Sequence, residues 1–179
     1  QLMISKKSKI TLKTMKPASP VLQPLSHDRI KQRLITSEGK TYMQELGITN
    51  RQFKVIPAMN SKFRQINKFI EIISSVLKSL EKQKELSVVD MGSGKGYLTF
   101  ALYDYLAKSL RLNAQVTGVE IRNELVEQCN RIARNAGFEG LSFTEGKIED
   151  YDLTGTDMLI ALHACDTATD DAIFKGLLL

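Results

Sequence analysis

Val88-Val89-Asp90-Met91-Gly92-Ser93-Gly94-Lys95-Gly96 is the stretch from which the fold can be read. It begins as a short apolar run over residues 86–91, ends that run in an acid, and then turns on three glycines. Working outward, residues 96–110 carry a helical pattern, and residues 114–120 form a second apolar strand that again ends in an acid, Glu120. Residues 122–136 are helical and are closed by Gly137, and strands follow at 141–144 and 157–163. The strand-helix-strand-helix order predicts an α/β fold: parallel strands with helices on both faces.

The junction after Asp90 is chemically specific. Glycines let the backbone turn tightly and let a ligand approach it closely. The start of the following helix offers free N–H groups and positive dipole character, which suits a carboxylate or phosphate. A dinucleotide fingerprint needs G-x-G-x-x-G, and its third glycine position is held here by Tyr97. A P-loop needs Ser or Thr after its lysine, where this chain has Gly96. The pattern fits S-adenosylmethionine better, with its methionine carboxylate at the turn and its ammonium on Asp90. Glu120 ends the second strand and is placed to accept both hydroxyls of a ribose, with Ile121 beside it. Lys147 and Ile148 follow the third strand, where an adenine would lie. The candidate cofactor residues are thus Asp90, Gly92, Ser93, Gly94, Gly96, Glu120, Ile121, Lys147 and Ile148; no metal site is read.

The fourth strand runs into Leu162-His163-Ala164-Cys165-Asp166. In an open parallel sheet, ligands bind beyond the carboxyl ends of the strands. His163 and Asp166 are therefore candidates for handling the proton of an acceptor. The alternative is a hydrogen-bonded His that shapes the loop. Cys165 reads as buried structure before it reads as a nucleophile, and Cys129, midway along an amphipathic helix, reads as core.

The front of the chain differs in character. Residues 1–85 hold 17 Lys and Arg against 6 Asp and Glu, a net of +11, and the remainder carries −6. An RNA partner is one reading of this asymmetry; lysines that solvate a tail and a helix face are the other. Residues 10–15 alternate like one strand, and a short helix is expected near 38–46, ended by Gly47. Phe63, Ile66, Ile70, Ile73, Leu77 and Leu80 recur at three- and four-residue steps, which predicts a helix over 61–82 capped by Asn60 or Ser61. Lys62, Arg64 and Lys68 on this helix are the candidate RNA-binding residues. The division expected is a basic N-terminal extension over 1–58 and a cofactor-binding core over 59–179. Two cysteines outside any C-x-x-C pair argue against structural zinc or a disulfide framework and fit a reducing cytoplasmic setting. No run approaches the roughly 18 apolar residues that cross a bilayer, so no membrane partner is read.

With these residues in place, the chain resembles a class I S-adenosylmethionine-dependent methyltransferase, whose early motifs would cover residues 86–166. The resemblance implies a Rossmann-like sheet, truncated here after its fourth strand, and a cofactor role for Asp90, Gly92, Gly94, Gly96 and Glu120. The ending Gly176-Leu177-Leu178-Leu179 fits that truncation. More narrowly, Leu162-His163-Ala164-Cys165-Asp166-Thr167-Ala168-Thr169-Asp170 resembles the L-H-A-C-[GD]-T-A-T-D signature. That signature belongs to a methyltransferase-like family of bacterial proteins and the glutathione S-transferase C-terminal-domain-containing protein. The chain lacks the [DN]-P-P-[YFW] motif of amino-N-methylating enzymes and the Pro-Cys pair of cytosine C5 enzymes. The function implied is methyl transfer; the resemblance fixes no acceptor, and RNA is the acceptor expected from the basic front half of the chain. A protein or small-molecule acceptor, or a non-catalytic binding module, are the alternatives.

Overall fold

The computed structural model describes residues 2–4, 10–12, 33–78, 85–162 and 167–177. The chain divides into two compact units, Gln1–Gln32 and Arg33–Leu179. In the first, β1 (Leu2–Ile4) pairs antiparallel with β2 (Ile10–Leu12), so the described part of the alternating run is a strand.

The second unit contains α1 (Thr41–Glu45), α2 (Asn60–Leu77), β3 (Glu85–Met91), α3 (Tyr97–Tyr103), β4 (Asn113–Glu120), α4 (Asn123–Asn135), β5 (Leu141–Glu145), β6 (Met158–Ile160) and α5 (Thr167–Gly176). Its four strands form one parallel sheet in the order β5-β4-β3-β6. β3, which carries the glycine turn, is central, and the strand order reverses direction at it. That reversal opens a crevice at the carboxyl end of the sheet. β6 is shorter than the 157–163 expected: only Met158–Ile160 pairs with β3.

Alternation along the strands assigns the two faces. Leu86 and Val88 of β3, Ala114 and Val116 of β4, and Leu141 and Phe143 of β5 pack with α2, α3 and α4 in one large core. Val89, Met91 and Val119 point the other way and are covered by Ile148, Tyr151 and Leu153. There α5 docks through the Lys175 ammonium, which donates to the Tyr151 carbonyl at 2.6 Å. Ile173 and Phe174 on α5, and Leu177 just past its end, are exposed.

The unit that contains the sheet starts at Arg33, where an extension reaching to residue 58 was expected. Ile35, Tyr42, Met43, Leu46 and Ile48 are buried in the same core as the sheet and α2. Apolar residues spaced through a charged segment hide that role from a reading by periodicity. The α2 N-terminus also differs: a 3-10 turn at Pro57–Met59 runs directly into the helix, Asn60 has helical dihedrals, and no side chain caps the end. The predicted helix over 96–110 is α-helical to Tyr103 and continues as a π turn, Asp104–Ser109. Asp104 is buried there and accepts two hydrogen bonds from the Lys40 ammonium, at 2.7 and 2.8 Å.

Candidate functional site

Three loops meet at the carboxyl edge of β3, β4 and β5, and main-chain hydrogen bonds hold them there. The Gly92 and Ser93 N–H groups both donate to the Val119 carbonyl of β4, at 2.9 and 3.0 Å. The Gly146 N–H donates to the Glu120 carbonyl at 3.2 Å, which ties in the loop after β5. Asp90, the glycine turn, Glu120 and residues 146–148 are thereby brought together, as the sequence suggested.

The turn needs its glycines for geometry and for space. Gly96 has φ +71°, and a Cβ there would sit 3.0 Å from the rings of Phe100 and Phe143. Gly118, opposite Asp90 in the sheet, is a second close approach: a Cβ would lie 2.5 Å from Phe143 and 2.9 Å from the Ser93 hydroxyl. Sequence reading missed Gly118, although a glycine inside a strand is itself a signal of close packing. The Ser93 hydroxyl is buried without a hydrogen-bond partner, and its N–H is engaged by Val119. Ser93 therefore shapes the turn through its main chain, with its hydroxyl packed against Gly118.

Both strand-end acids are buried, Asp90 at 7% and Glu120 at 5% exposure, but in opposite electrostatic settings. Burial pushes the Asp90 carboxyl up to about 6, and a hydrogen bond from the Thr99 hydroxyl at 2.6 Å offsets only part of that. Thr99 was also missed; it lies in α3, three residues past Gly96, and reaches back to the end of β3. Glu120 is held below the usual carboxylate range, first by the Arg122 side chain and then by the N–H groups of Arg122 and Gly94. Cys129 lies beneath the turn, its sulfur 3.9 Å from the Gly94 carbonyl, and burial pushes its thiol up to about 12. It is core, as read.

Ile121 is exposed beside Glu120, while Ile148 is half-buried against the second core and Lys147 is exposed and paired with Glu149 at 3.7 Å. Lys62 does not share a face of α2 with Arg64 and Lys68. At 100° per residue, Lys62 lies about 160° around the helix from Arg64 and about 120° from Lys68. Lys62 sits over the Tyr97 ring, 5.3 Å from its centroid, at the first residue after the glycine turn. Lys68 pairs with Glu71 at 3.3 Å, and Arg64 is exposed. His163, Cys165 and Asp166 lie outside the described residues. β6 ends at Ile160, paired with Asp90, so the chain leaves the sheet toward them beside that acid. Among the described residues, no group of three or more His, Cys, Asp or Glu is placed to hold a metal ion, and no helix is long and apolar enough to cross a membrane.

Residues 61–178, more than half of the chain, match a protein family described as a methyltransferase domain. The chain belongs to that family. Among solved structures, the domain is similar to the YcgJ protein from Bacillus subtilis, at 21% identity over 58% of this chain and 43% of that one, with a TM-score of 0.45. It is similar to a dimethyladenosine transferase from Plasmodium falciparum, at 20% identity over 61% of this chain and 37% of that one, TM-score 0.46. It is also similar to a SAM-dependent methyltransferase from Aquifex aeolicus, at 16% identity over 54% of this chain and 55% of that one, TM-score 0.40. The methyltransferase domain thus spans about half or less of the length of each of these proteins. No curated protein sequence matches the chain.

Proposed function

We propose that this methyltransferase domain binds S-adenosylmethionine at the carboxyl edge of β3 and β4 and transfers its methyl group to an RNA acceptor. The observation that carries the cofactor reading is the pairing of two buried strand-end carboxylates, Asp90 and Glu120, across one glycine turn. The donor set suits the ligand: Glu120 is ionised and faces the turn, and Asp90 is an acid poised to meet an ammonium. When bound, S-adenosylmethionine supplies an electrophilic methyl group on a sulfonium. The chain's own work is then alignment of donor and acceptor. Asp90 accepts from the ammonium, Gly92, Gly94 and Gly96 give the main chain access to the carboxylate, and Glu120 accepts from the ribose. Ile121, Lys147 and Ile148 border the adenine. His163 and Asp166, in the segment that follows β6, take the proton released by the acceptor. The Leu162–Asp170 signature supports placing the chain within the narrower methyltransferase-like family.

RNA is favoured by the +11 charge of residues 1–85 and by Lys62, which stands next to the turn over Tyr97. Arg64 and Lys68, on another side of α2, would meet a strand that wraps the helix. The setting inferred is cytoplasmic. Calorimetry tests the cofactor: the full chain should bind S-adenosylmethionine, and Asp90→Ala and Gly94→Arg should each weaken binding by at least about tenfold, a loss of 1.4 kcal/mol. Absence of binding by the native chain would overturn the reading. RNA affinity that does not fall between 50 and 200 mM salt would remove RNA as the acceptor.

A further inference from the structure

Glu120 already carries a full set of hydrogen bonds, and half of them come from one exposed side chain. An ionised carboxylate offers about four lone-pair positions, two on each oxygen. On Oε1 the donors are the Arg122 main-chain N–H at 3.2 Å and Arg122 Nε at 2.8 Å. On Oε2 they are the Gly94 N–H at 2.8 Å and Arg122 Nη2 at 3.3 Å. The two main-chain donors belong to the turn and to the strand end, and they fix the carboxylate in place. The two guanidinium donors fall one on each oxygen, and the Arg122 side chain is 57% exposed. A vicinal diol presents two O–H donors, also one for each oxygen. It can replace the guanidinium bond for bond and leave the main-chain pair untouched. Both cannot be held at once, because no lone pair remains.

This inference rests on the reading of Glu120 as the ribose acceptor. We propose that Arg122 is an exchangeable placeholder on Glu120, which competes with the ribose hydroxyls of an adenosine-containing ligand and so sets affinity and its response to salt. On exchange the guanidinium turns into solvent, where Glu124 is the nearby acid that also favours its charge. Salt screens an exposed ion pair. It therefore weakens the competitor, and an uncharged nucleoside binds more tightly as salt rises. That sign is opposite to the one that ordinary attraction between ligand and protein charges produces.

The test is calorimetry on the full chain with adenosine, at 50 and 500 mM NaCl, for the native protein and Arg122→Ala. At low salt R122A should bind adenosine about two- to fivefold more tightly, the range that exposed ion pairs span. Native affinity should rise with salt toward that of R122A, which should not change. Arg122→Lys, whose single ammonium cannot bridge both oxygens, should fall between them. With 2′,3′-dideoxyadenosine the difference between native and R122A should vanish. In the native protein, the Arg122 Nε–H resonance of a 15N spectrum should move when adenosine is added. Weaker binding by R122A would mean that Arg122 touches the ligand, and equal binding at both salts would mean that it does not compete; either overturns the placeholder alone. If neither protein binds adenosine or S-adenosylhomocysteine, the ribose reading of Glu120 fails and the placeholder with it.

Discussion

Asp90 holds its proton to about pH 6 in the folded chain, against an ordinary value of 3.8. Between those values the folded state binds more protons than the unfolded one, so stability falls as pH rises through the window and levels off above it. A difference of about two units corresponds to about 3 kcal/mol. Asp90→Asn keeps the shape and an acceptor for Thr99 without the buried charge. Its Tm should exceed the native one at pH 8 and match it near pH 4, as scanning calorimetry would read. Ligand binding should run the other way: affinity for S-adenosylmethionine should rise as pH climbs through about 6, because only the ionised acid attracts an ammonium, whereas adenosine should show no such step. Asp90 and Glu120 were legible because each ends an apolar run at a glycine or a turn. Thr99 and Arg122 were not, because their roles depend on how far a side chain reaches and in which direction, which residue spacing does not encode.

Elements reveal a different boundary between pattern and structure. The apolar periodicity of α3 continues past Tyr103, so a helix there is readable, but the widening of its last turns into a π turn is not. The Lys40–Asp104 pair was equally hidden, because its partners lie 64 residues apart. Asp104 is 2% exposed, and removing its counter-charge leaves a buried carboxylate with only the Tyr42 hydroxyl, at 3.5 Å, to donate to it. Lys40→Ala should therefore cost about 3 kcal/mol in urea unfolding, and the double change Lys40→Met with Asp104→Leu should recover most of that loss. A double variant no more stable than Lys40→Ala would show that the pair does more than satisfy itself. The edge strand β5 has another device of this kind: Asn130 of α4 donates to the Phe143 carbonyl at 2.7 Å and accepts from its N–H at 2.9 Å.

For the whole second unit, the parallel sheet with helices on both faces was readable from the order of its elements, and the strand order places the acids of β3 and β4 side by side. The participation of residues 33–58 was not, since Tyr42 joins the core by stacking on Phe100, with ring centroids 5.7 Å apart, far along the chain. A chain that starts at Arg33 should therefore unfold cooperatively in urea. One that starts at residue 59 should lose its near-ultraviolet circular dichroism and bind a hydrophobic dye, because Ile35, Tyr42, Met43, Leu46 and Ile48 are missing from the core.

The central position of β3 also bears on how the molecule is made. Chains emerge from the ribosome N-terminus first, at about 5–20 residues per second. β3 can pair with β4, and β4 with β5, while β6 is still unsynthesised, so one half of the sheet assembles first and the other flank of β3 stays bare. The crevice beside Asp90 thus gains its wall only once β6 is made, and a nascent chain paused before β6 would carry the glycine turn with one side open.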